Sequence, residues 1–197
     1  MKTACFTGHR PRDLRGYVGH EAYEPLVGAI ERVCERLVDE FGVTDFVSGG
    51  AQGVDQLAFW AVNRLKARRP GAGIRNVVFQ PFPGQEDRWR EDGIFGRAEY
   101  RLMLRLADEV RVVREDASDD RERVSALFQR NHAMVDASDV VVACRLSSKG
   151  DYMTSRGGTA ECMRYAHRAG KPMVVLEPST GSADWDGVGA LGPAAGA

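Results

Sequence analysis

The sequence predicts a single doubly wound, Rossmann-like α/β domain, with a mostly parallel sheet and helices on both of its faces. Short apolar runs rich in valine and phenylalanine alternate with longer segments in which apolar residues recur three and four positions apart. The run Val140–Ala143 is apolar at every position, as is typical of a strand whose two faces are both covered. Alternation of this kind indicates parallel strands joined by crossover helices.

The strands are predicted from apolar runs that are too short to be buried helices. In chain order the runs are Thr3–Thr7, Asp45–Ser48, Asn76–Gln80, Glu109–Val113, Asp139–Cys144 and Pro172–Leu176.

Helices are predicted where apolar residues make one face. The three faces are Leu26, Ile30, Val33, Leu37 and Phe41; Val54, Leu57, Ala58, Ala61 and Leu65; and Val124, Leu127, Phe128, Met134 and Val135. A further helix is predicted to begin at Thr159, a natural N-cap, and to end at Gly170, a good C-cap residue.

The 197 residues are enough for one domain with a sizeable core. We place that domain at residues 1–177 and a mobile tail, rich in glycine and alanine, at residues 178–197, with Trp185 as its candidate anchor. The segment Pro81–Gly96 is a long irregular connection, and such loops are often functional lids. Gln85 and Trp89 are its candidate lid residues.

Composition excludes several classes of protein. The net charge of −1 argues against a polycation that binds duplex DNA over its whole surface. It does not exclude a local basic groove. No apolar run approaches the roughly 18 residues that cross a bilayer, so no membrane partner is expected. The cysteines, Cys5, Cys34, Cys144 and Cys162, form no CxxC pair. They predict a protein of the reducing cytoplasm with neither a disulfide framework nor a metal site.

The loops that follow the strands are the candidate site, because ligands of doubly wound sheets bind beyond the carboxyl ends of the strands. After the first strand come Gly8, His9 and Arg10. A glycine lets the backbone approach a ligand closely, and the arginine beside it can bind a phosphate. The alternative for this loop is a tight turn with a solvated arginine.

Two glycine-rich loops precede helices and are predicted to bind anions, since backbone N–H groups and the helix dipole favour negative charge there. The first contains Ser48, Gly49, Gly50, Ala51 and Asp55, and the second contains Gly157, Gly158 and Thr159. The first is neither a P-loop nor a dinucleotide fingerprint. It could instead be a turn that only lets helix and strand pack, with Asp55 as a structural cap.

The charged residues near the fifth strand have simpler explanations as well. Arg130 lies outside the apolar face of its helix, so a solvated side chain is the default expectation. The helix dipole favours Glu161 in the first turn of any helix. Only His9 of the four histidines falls in a candidate site loop, and the others are expected at the surface. Those others are His20, His132 and His167.

Five motifs occur in order over residues 1 to 176. They are Thr7-Gly8-His9-Arg10-Pro11, Ser48-Gly49-Gly50-Ala51-x-Gly53-Val54-Asp55, Pro81-Phe82-x-x-Gln85-x-x-x-Trp89, Arg130-Asn131-x-x-Met134-Val135-Asp136-x-Ser138-Asp139 and Gly157-Gly158-Thr159. In this order they resemble the YpsA-like proteins of the SLOG superfamily, which groups the DNA-processing protein DprA with the LOG ("Lonely Guy") enzymes. The resemblance implies a Rossmann-like fold that binds nucleotides or nucleotide-derived ligands, with Asn131 among the binding residues.

The resemblance also implies two other functions. LOG enzymes cleave the N-glycosidic bond of nucleoside 5′-monophosphates, and their arginine and glutamate correspond to Arg130 and Glu161 as candidate catalytic residues. Glu161 comes two residues after Thr159 rather than three, and one residue turns a side chain by ~100° around a helix. DprA-like binding of single-stranded DNA would need a basic groove with stacking aromatic rings.

We therefore expect a nucleotide-binding or sensing domain first, a phosphoribohydrolase second and a single-stranded DNA binder third. No cofactor is required, and a homo-oligomer is left open.

Overall fold

The structure, a computed structural model, describes residues 1–194. Its strands are β1 (Lys2–Gly8), β2 (Val43–Ser48), β3 (Arg75–Gln80), β4 (Glu109–Val112), β5 (Val140–Cys144), β6 (Met173–Leu176) and β7 (Ala183–Asp184). Its α-helices are α1 (Glu24–Phe41), α2 (Val54–Arg68), α3 (Arg97–Leu106), α4 (Asp120–Asp136) and α5 (Gly158–Arg168). Each of the six predicted strands is present, with ends that differ from the prediction by two residues or fewer.

The strands form one sheet in the order β4-β3-β2-β1-β5-β6-β7. All neighbours are parallel except β7, which runs antiparallel to β6. The chain builds outward from β1 to β4 on one side and then crosses to β5 and β6 on the other. This confirms the doubly wound α/β fold, and it puts the switch point, where ligands bind in such sheets, at the carboxyl ends of β1 and β5.

The sheet is buried on both faces. Val140 and Val142 belong to the apolar cluster under α1 and α2, whereas Val141 belongs to the cluster under α4 and α5. Successive side chains of a strand point to opposite faces, so the unbroken apolar run of β5 supplies both clusters. Rigid packing on both faces fixes the positions of the loops that follow β1 and β5.

Helix α3 was not predicted from the sequence. Only Tyr100 and Met103 are buried along its ten residues, and both pack with Phe59 and Val78 in a small third cluster. Two buried residues on a short helix give too weak a periodic pattern to detect by spacing alone.

The expectation of a mobile tail from residue 178 is wrong for residues 178–194. Strand β7 extends the sheet, and Trp185 stacks on Phe41 with ring centroids 6.3 Å apart. The guanidinium of Arg36 lies 4.2 Å from the centre of the Trp185 ring. Trp185 is thus the anchor of a segment that packs on the domain, while residues 195–197 lie outside the described residues. Within residues 1–194, no helix combines the length and the apolar character that a membrane span requires.

Candidate functional site

A cavity of about 400 Å³ lies at the carboxyl ends of β1 and β5, and we call it the β1–β5 cavity. Ten residues predicted from the sequence line it: Gly8, His9, Arg10, Ala51, Asp55, Arg130, Asn131, Gly157, Gly158 and Thr159. Six others do not line it: Ser48, Gly49, Gly50, Gln85, Trp89 and Glu161. The structure therefore brings the loop after β1 together with the second glycine loop, whereas most of the first glycine loop lies behind the cavity wall.

The lining of the cavity is strongly cationic. Its basic side chains are Arg10, Arg12, Arg130, Arg145, Lys149 and Arg156, and its carboxylates are Asp13 and Asp55. Six cations against two carboxylates give a local positive field in a chain whose net charge is −1. Such a field attracts anionic ligands.

The N-terminus of α5 opens into this cavity. The helix begins at Gly158 with Gly157 as its N-cap, so the prediction that Thr159 caps it is wrong. Gly157 has a φ of +113°, which side chains rarely adopt, and this glycine sets where the helix can start. The residues of the first turn, Gly158 to Ala160, line the cavity. Backbone N–H groups at this position have no partner within a helix and suit an anion.

Arg130 is buried rather than solvated, contrary to the default expectation. It is 3% exposed, and its Nη1 donates to Oδ2 of Asp55 over 3.0 Å. The same Oδ2 accepts the backbone N–H of Ala51 at 3.3 Å. The partner of Arg130 lies 75 positions away in the chain, so helical spacing could not reveal the pair.

The first glycine loop shapes the cavity from behind. A Cβ at Gly49 would lie 1.2 Å from Nη1 of Arg130, so glycine allows the guanidinium to lie against the backbone. Gly50 has a φ of +66° and faces Tyr100 and Met103 instead of the cavity. The N–H of Val54 at the start of α2 already donates to a backbone carbonyl. The N–H groups of Ala51 and Val54 therefore already have partners within the protein, and this loop reaches the cavity through Ala51 and Asp55.

Arg10 is a half-buried cation for which no protein partner is found among residues 1–194. Its side chain makes no hydrogen bond or ion pair within residues 1–194. Burial lowers the pKa of its guanidinium, and the proximity of Asp55 opposes this shift while that of Arg130 adds to it. An arginine that lines a cavity and has no partner among residues 1–194 keeps its hydrogen-bond donors available for an anionic ligand.

His9 is held as a neutral ring. The backbone N–H of Leu146 donates to its Nε2 over 3.1 Å, which places the single proton of the ring on Nδ1. Burial lowers the pKa of His9, in agreement with the neutral form. His9 can therefore form a hydrogen bond with a ligand through its neutral ring, but it contributes no charge.

The lining of the β1–β5 cavity also includes residues after β5 that were not predicted as site residues. Arg145 donates to the carbonyl oxygens of Gly150 and Lys149 at 2.6 and 3.1 Å, and to the hydroxyl of Ser155 at 2.8 Å. Lys149 pairs with Asp13 at 2.8 Å and ties this loop to the loop after β1. The position of Arg145 directly after a buried strand was the one available signal.

Glu177 fixes the start of the same loop. Burial opposes its ionisation, but donors from Ser179 and the backbone N–H of Ser147 outweigh burial and lower the pKa of Glu177 to about 2.

We expect Glu177→Gln to lower the free energy of unfolding at pH 7 by about 1 kcal/mol or less, because the group is partly exposed. The carboxylate stabilises the fold fully above its unfolded pKa of 4.5, and this contribution is lost as the pH falls through about 2. Thermal unfolding at pH 7 and at pH 2.5 should show the gap between wild type and variant narrowing at the lower pH. A gap that stays constant would contradict this role.

Glu161 does not line the cavity. His132 donates through Nε2 to its Oε1 over 2.7 Å, and the ring of His132 stacks on Tyr165 with centroids 3.8 Å apart. His132 is therefore partly buried in a pair and is not the simple surface residue that was expected. Arg130 lines the cavity and Glu161 does not, so the cavity does not bring these two candidate catalytic side chains together.

The candidate lid residues also lie elsewhere. Trp89 packs edge-on against Tyr100 with centroids 5.1 Å apart, as part of the cluster around α3. Nε2 of Gln85 approaches the carbonyl oxygen of Gly49 at 3.5 Å, behind the cavity wall. Both side chains support the first glycine loop, because α3 places an apolar patch beneath them.

The basic residues are divided: Arg10, Arg12 and Arg156 line the β1–β5 cavity, whereas three other arginines do not. Arg15 lines a neighbouring cavity, Arg88 pairs with Asp120 at 2.8 Å, and Arg90 is exposed on the long loop. None of the described residues that line the β1–β5 cavity is Phe, Tyr or Trp. Among residues 1–194, no group of three or more metal-ligating side chains is placed to hold a metal ion.

Comparison with known proteins gives a consistent result. Residues 4–180 match the model of the YspA SLOG family. The SPbeta prophage-derived protein YoqJ of Bacillus subtilis (strain 168) is 33% identical over 146 residues, which are 69% of this chain and 77% of YoqJ. A UPF0398 protein of Bacillus cereus (strain G9842) is 27% identical over 73% of each chain.

A solved structure shares the fold. The DNA processing protein A (DprA) from Streptococcus pneumoniae matches with a TM-score of 0.57 and 14% sequence identity. The match covers 97% of this chain but about half of DprA, 54% of its length. At this identity the likeness concerns the fold alone.

Proposed function

This chain belongs to the YspA SLOG family, and from that premise we propose that it binds a nucleotide or nucleotide-derived ligand in the β1–β5 cavity, as a binding or sensing domain. The observation that carries this proposal is Arg10, a half-buried cation without a partner in residues 1–194, in the same cavity as the N-terminus of α5. Two independent features of one cavity favour an anion.

The phosphate would sit at the start of α5. Gly157 and Gly158 have open space where a side chain would be, so the backbone can approach a ligand closely. The N–H groups of the first turn and the positive end of the helix dipole stabilise negative charge there. Arg156 lines the cavity beside them and supplies a flexible counter-charge.

Cleavage of a nucleoside monophosphate is the less favoured function. It would need Glu161 at the ligand, and Glu161 is bound to His132 outside the cavity lining. A displacement of ~1 Å already costs about 100-fold in rate. We expect release of free base from a panel of nucleoside 5′-monophosphates to be weak or absent by chromatography. Robust turnover that is lost in both Arg130→Ala and Glu161→Ala would put the hydrolase first.

Binding of single-stranded DNA is also less favoured. Proteins of that class stack bases on aromatic rings along a basic groove. The described lining of the cavity holds no Phe, Tyr or Trp, and the arginines of the long loop lie away from it.

The proposal is tested by titration calorimetry with AMP, ADP, ADP-ribose, NAD, cyclic AMP, pyrophosphate and oligo-dT. Arg10→Ala should weaken binding of the phosphate-bearing ligands by about 10- to 100-fold, because it removes charge-assisted hydrogen bonds. The same variant should keep its free energy of unfolding within about 0.5 kcal/mol, since Arg10 has no protein partner to lose.

Arg12→Ala is the matched control, because Arg12 lines the same cavity but its side chain is 84% exposed. We expect it to change affinity by less than about threefold, as is usual for a solvated charge. Absence of binding by every ligand, or equal effects of the two substitutions, would contradict the proposal.

A further inference from the structure

Asp55 is a carboxylate with one oxygen engaged by the protein and one oxygen without a partner. Oδ2 accepts from Nη1 of Arg130 and from the backbone N–H of Ala51. Oδ1 accepts no hydrogen bond from residues 1–194, although Asp55 is only 7% exposed and lines the β1–β5 cavity. Oδ1 is not among the fully buried side-chain atoms without a partner in residues 1–194, so it is open to the cavity and can accept a hydrogen bond from a ligand.

We propose that Asp55 binds the hydroxyl groups of a ribose, so that the cavity selects ribonucleotides over deoxyribonucleotides and DNA. This inference rests on the proposed function and names the ligand class within it. A carboxylate repels phosphate, so the part of a ligand that meets Oδ1 must donate hydrogen bonds. In a nucleotide, the neutral donors next to the phosphate are the hydroxyls of the sugar.

The placement of Asp55 suits that role. It lies in the first turn of α2, and its two bonds through Oδ2 hold the carboxylate in one orientation. A fixed acceptor binds a ligand without the entropy cost of ordering a mobile side chain. The start of α5 and Asp55, which lies on α2, line the same cavity, so phosphate and sugar would meet different charges.

The other acidic residues near the cavity are engaged elsewhere. Asp13 lines the cavity but pairs with Lys149, and its side chain is 25% exposed. Glu161 binds His132 and does not line the cavity. Asp55 is therefore the carboxylate of the described lining that can accept hydrogen bonds from a sugar.

A strand of DNA lacks the sugar hydroxyls that Asp55 would bind. A deoxyribose has no 2′-hydroxyl, and its 3′-oxygen is esterified within a strand, so a strand offers Oδ1 no donor from the sugar. It would instead bring phosphates towards a carboxylate. The same residue that favours a ribonucleotide thus disfavours single-stranded DNA.

The test compares the four ribonucleoside diphosphates with their 2′-deoxy counterparts by titration calorimetry on the wild-type chain, with inorganic pyrophosphate as a sugar-free probe. We expect the 2′-deoxy form of any bound diphosphate to bind about tenfold more weakly or worse, because a hydrogen bond to a charged group is lost. Equal affinities for the two forms, or binding of pyrophosphate alone, would overturn the role of Asp55 while the anion site stands. Absence of binding by every probe would overturn the proposed function itself.

Asp55→Asn extends the test to the residue. The variant keeps the shape of the side chain, and we expect the ratio of ribose to deoxyribose affinities to fall towards one. Asp13→Asn removes the other carboxylate of the lining and should keep the wild-type ratio. A ratio that persists in Asp55→Asn, or that collapses in Asp13→Asn, would overturn the assignment. If Asp55→Asn fails to fold, the wild-type comparison alone decides it.

Discussion

Replacing Arg130 by methionine is expected to lower the free energy of unfolding by about 3–5 kcal/mol. The substitution leaves Asp55 buried without its counter-charge, and an uncompensated buried charge is costly. Nucleotide binding should be lost as well, because Arg130 orients Asp55 and lines the cavity. Urea denaturation followed by circular dichroism measures the loss of stability.

The double variant Arg130→Met with Asp55→Asn separates the stability lost through the unpaired charge from the stability lost through altered packing. Removing both charges of a buried pair often costs little, so the double variant should recover at least half of the lost stability. Its nucleotide binding should stay lost. A single Arg130→Met variant within about 1 kcal/mol of wild type would show that the pair does not hold the site together.

Alanine at Gly50 is expected to destabilise the protein by roughly 2–5 kcal/mol. The φ of +66° costs a residue with a Cβ about 1–2 kcal/mol, and overpacking of a core adds about 1–3 kcal/mol. The new Cβ would lie 2.6 Å from Cε2 of Tyr100 and 2.9 Å from the methyl carbon of Met103. Denaturation curves of wild type and variant test the expected loss.

Gly158 provides the matched control for Gly50. A Cβ there meets nothing within 4 Å and its backbone is not left-handed, so Gly158→Ala should keep or slightly raise stability. The larger Gly158→Val should also fold but lose nucleotide binding, because its side chain enters the cavity. Equal loss of stability at the two positions would contradict this division between a structural and a ligand-facing glycine.

The fold could be predicted from the sequence because its signals are local. Strand β5 is an unbroken apolar run, and α1 shows an apolar face along its whole length. The features that were not predicted depend on contacts between residues that are far apart in the chain. The tail is ordered by Trp185 on Phe41, a contact over 144 positions that no local pattern shows.

The candidate site could be predicted in part for the same reason. The loops after β1 and before α5 follow from the rule that parallel strands point their carboxyl ends to one edge. That Gly50 faces Tyr100 depends on α3, a helix that the sequence analysis did not predict. The burial of Arg130 depends on Asp55, which lies on another helix. Side-chain pairing between elements decides which residues of a loop meet the ligand.

The central claim is that the β1–β5 cavity binds the phosphate of a nucleotide at the start of α5. The most direct measurement is a titration of the ¹⁵N-labelled protein with ADP, followed through the backbone amide resonances. We predict saturable shifts that are largest at Gly157, Gly158, Thr159 and Ala160, and that are much smaller in Arg10→Ala at an ADP concentration that half-saturates the wild type. Shifts confined to the groove around Trp60 between α1, α2 and α3, or no shifts at all, would contradict the claim.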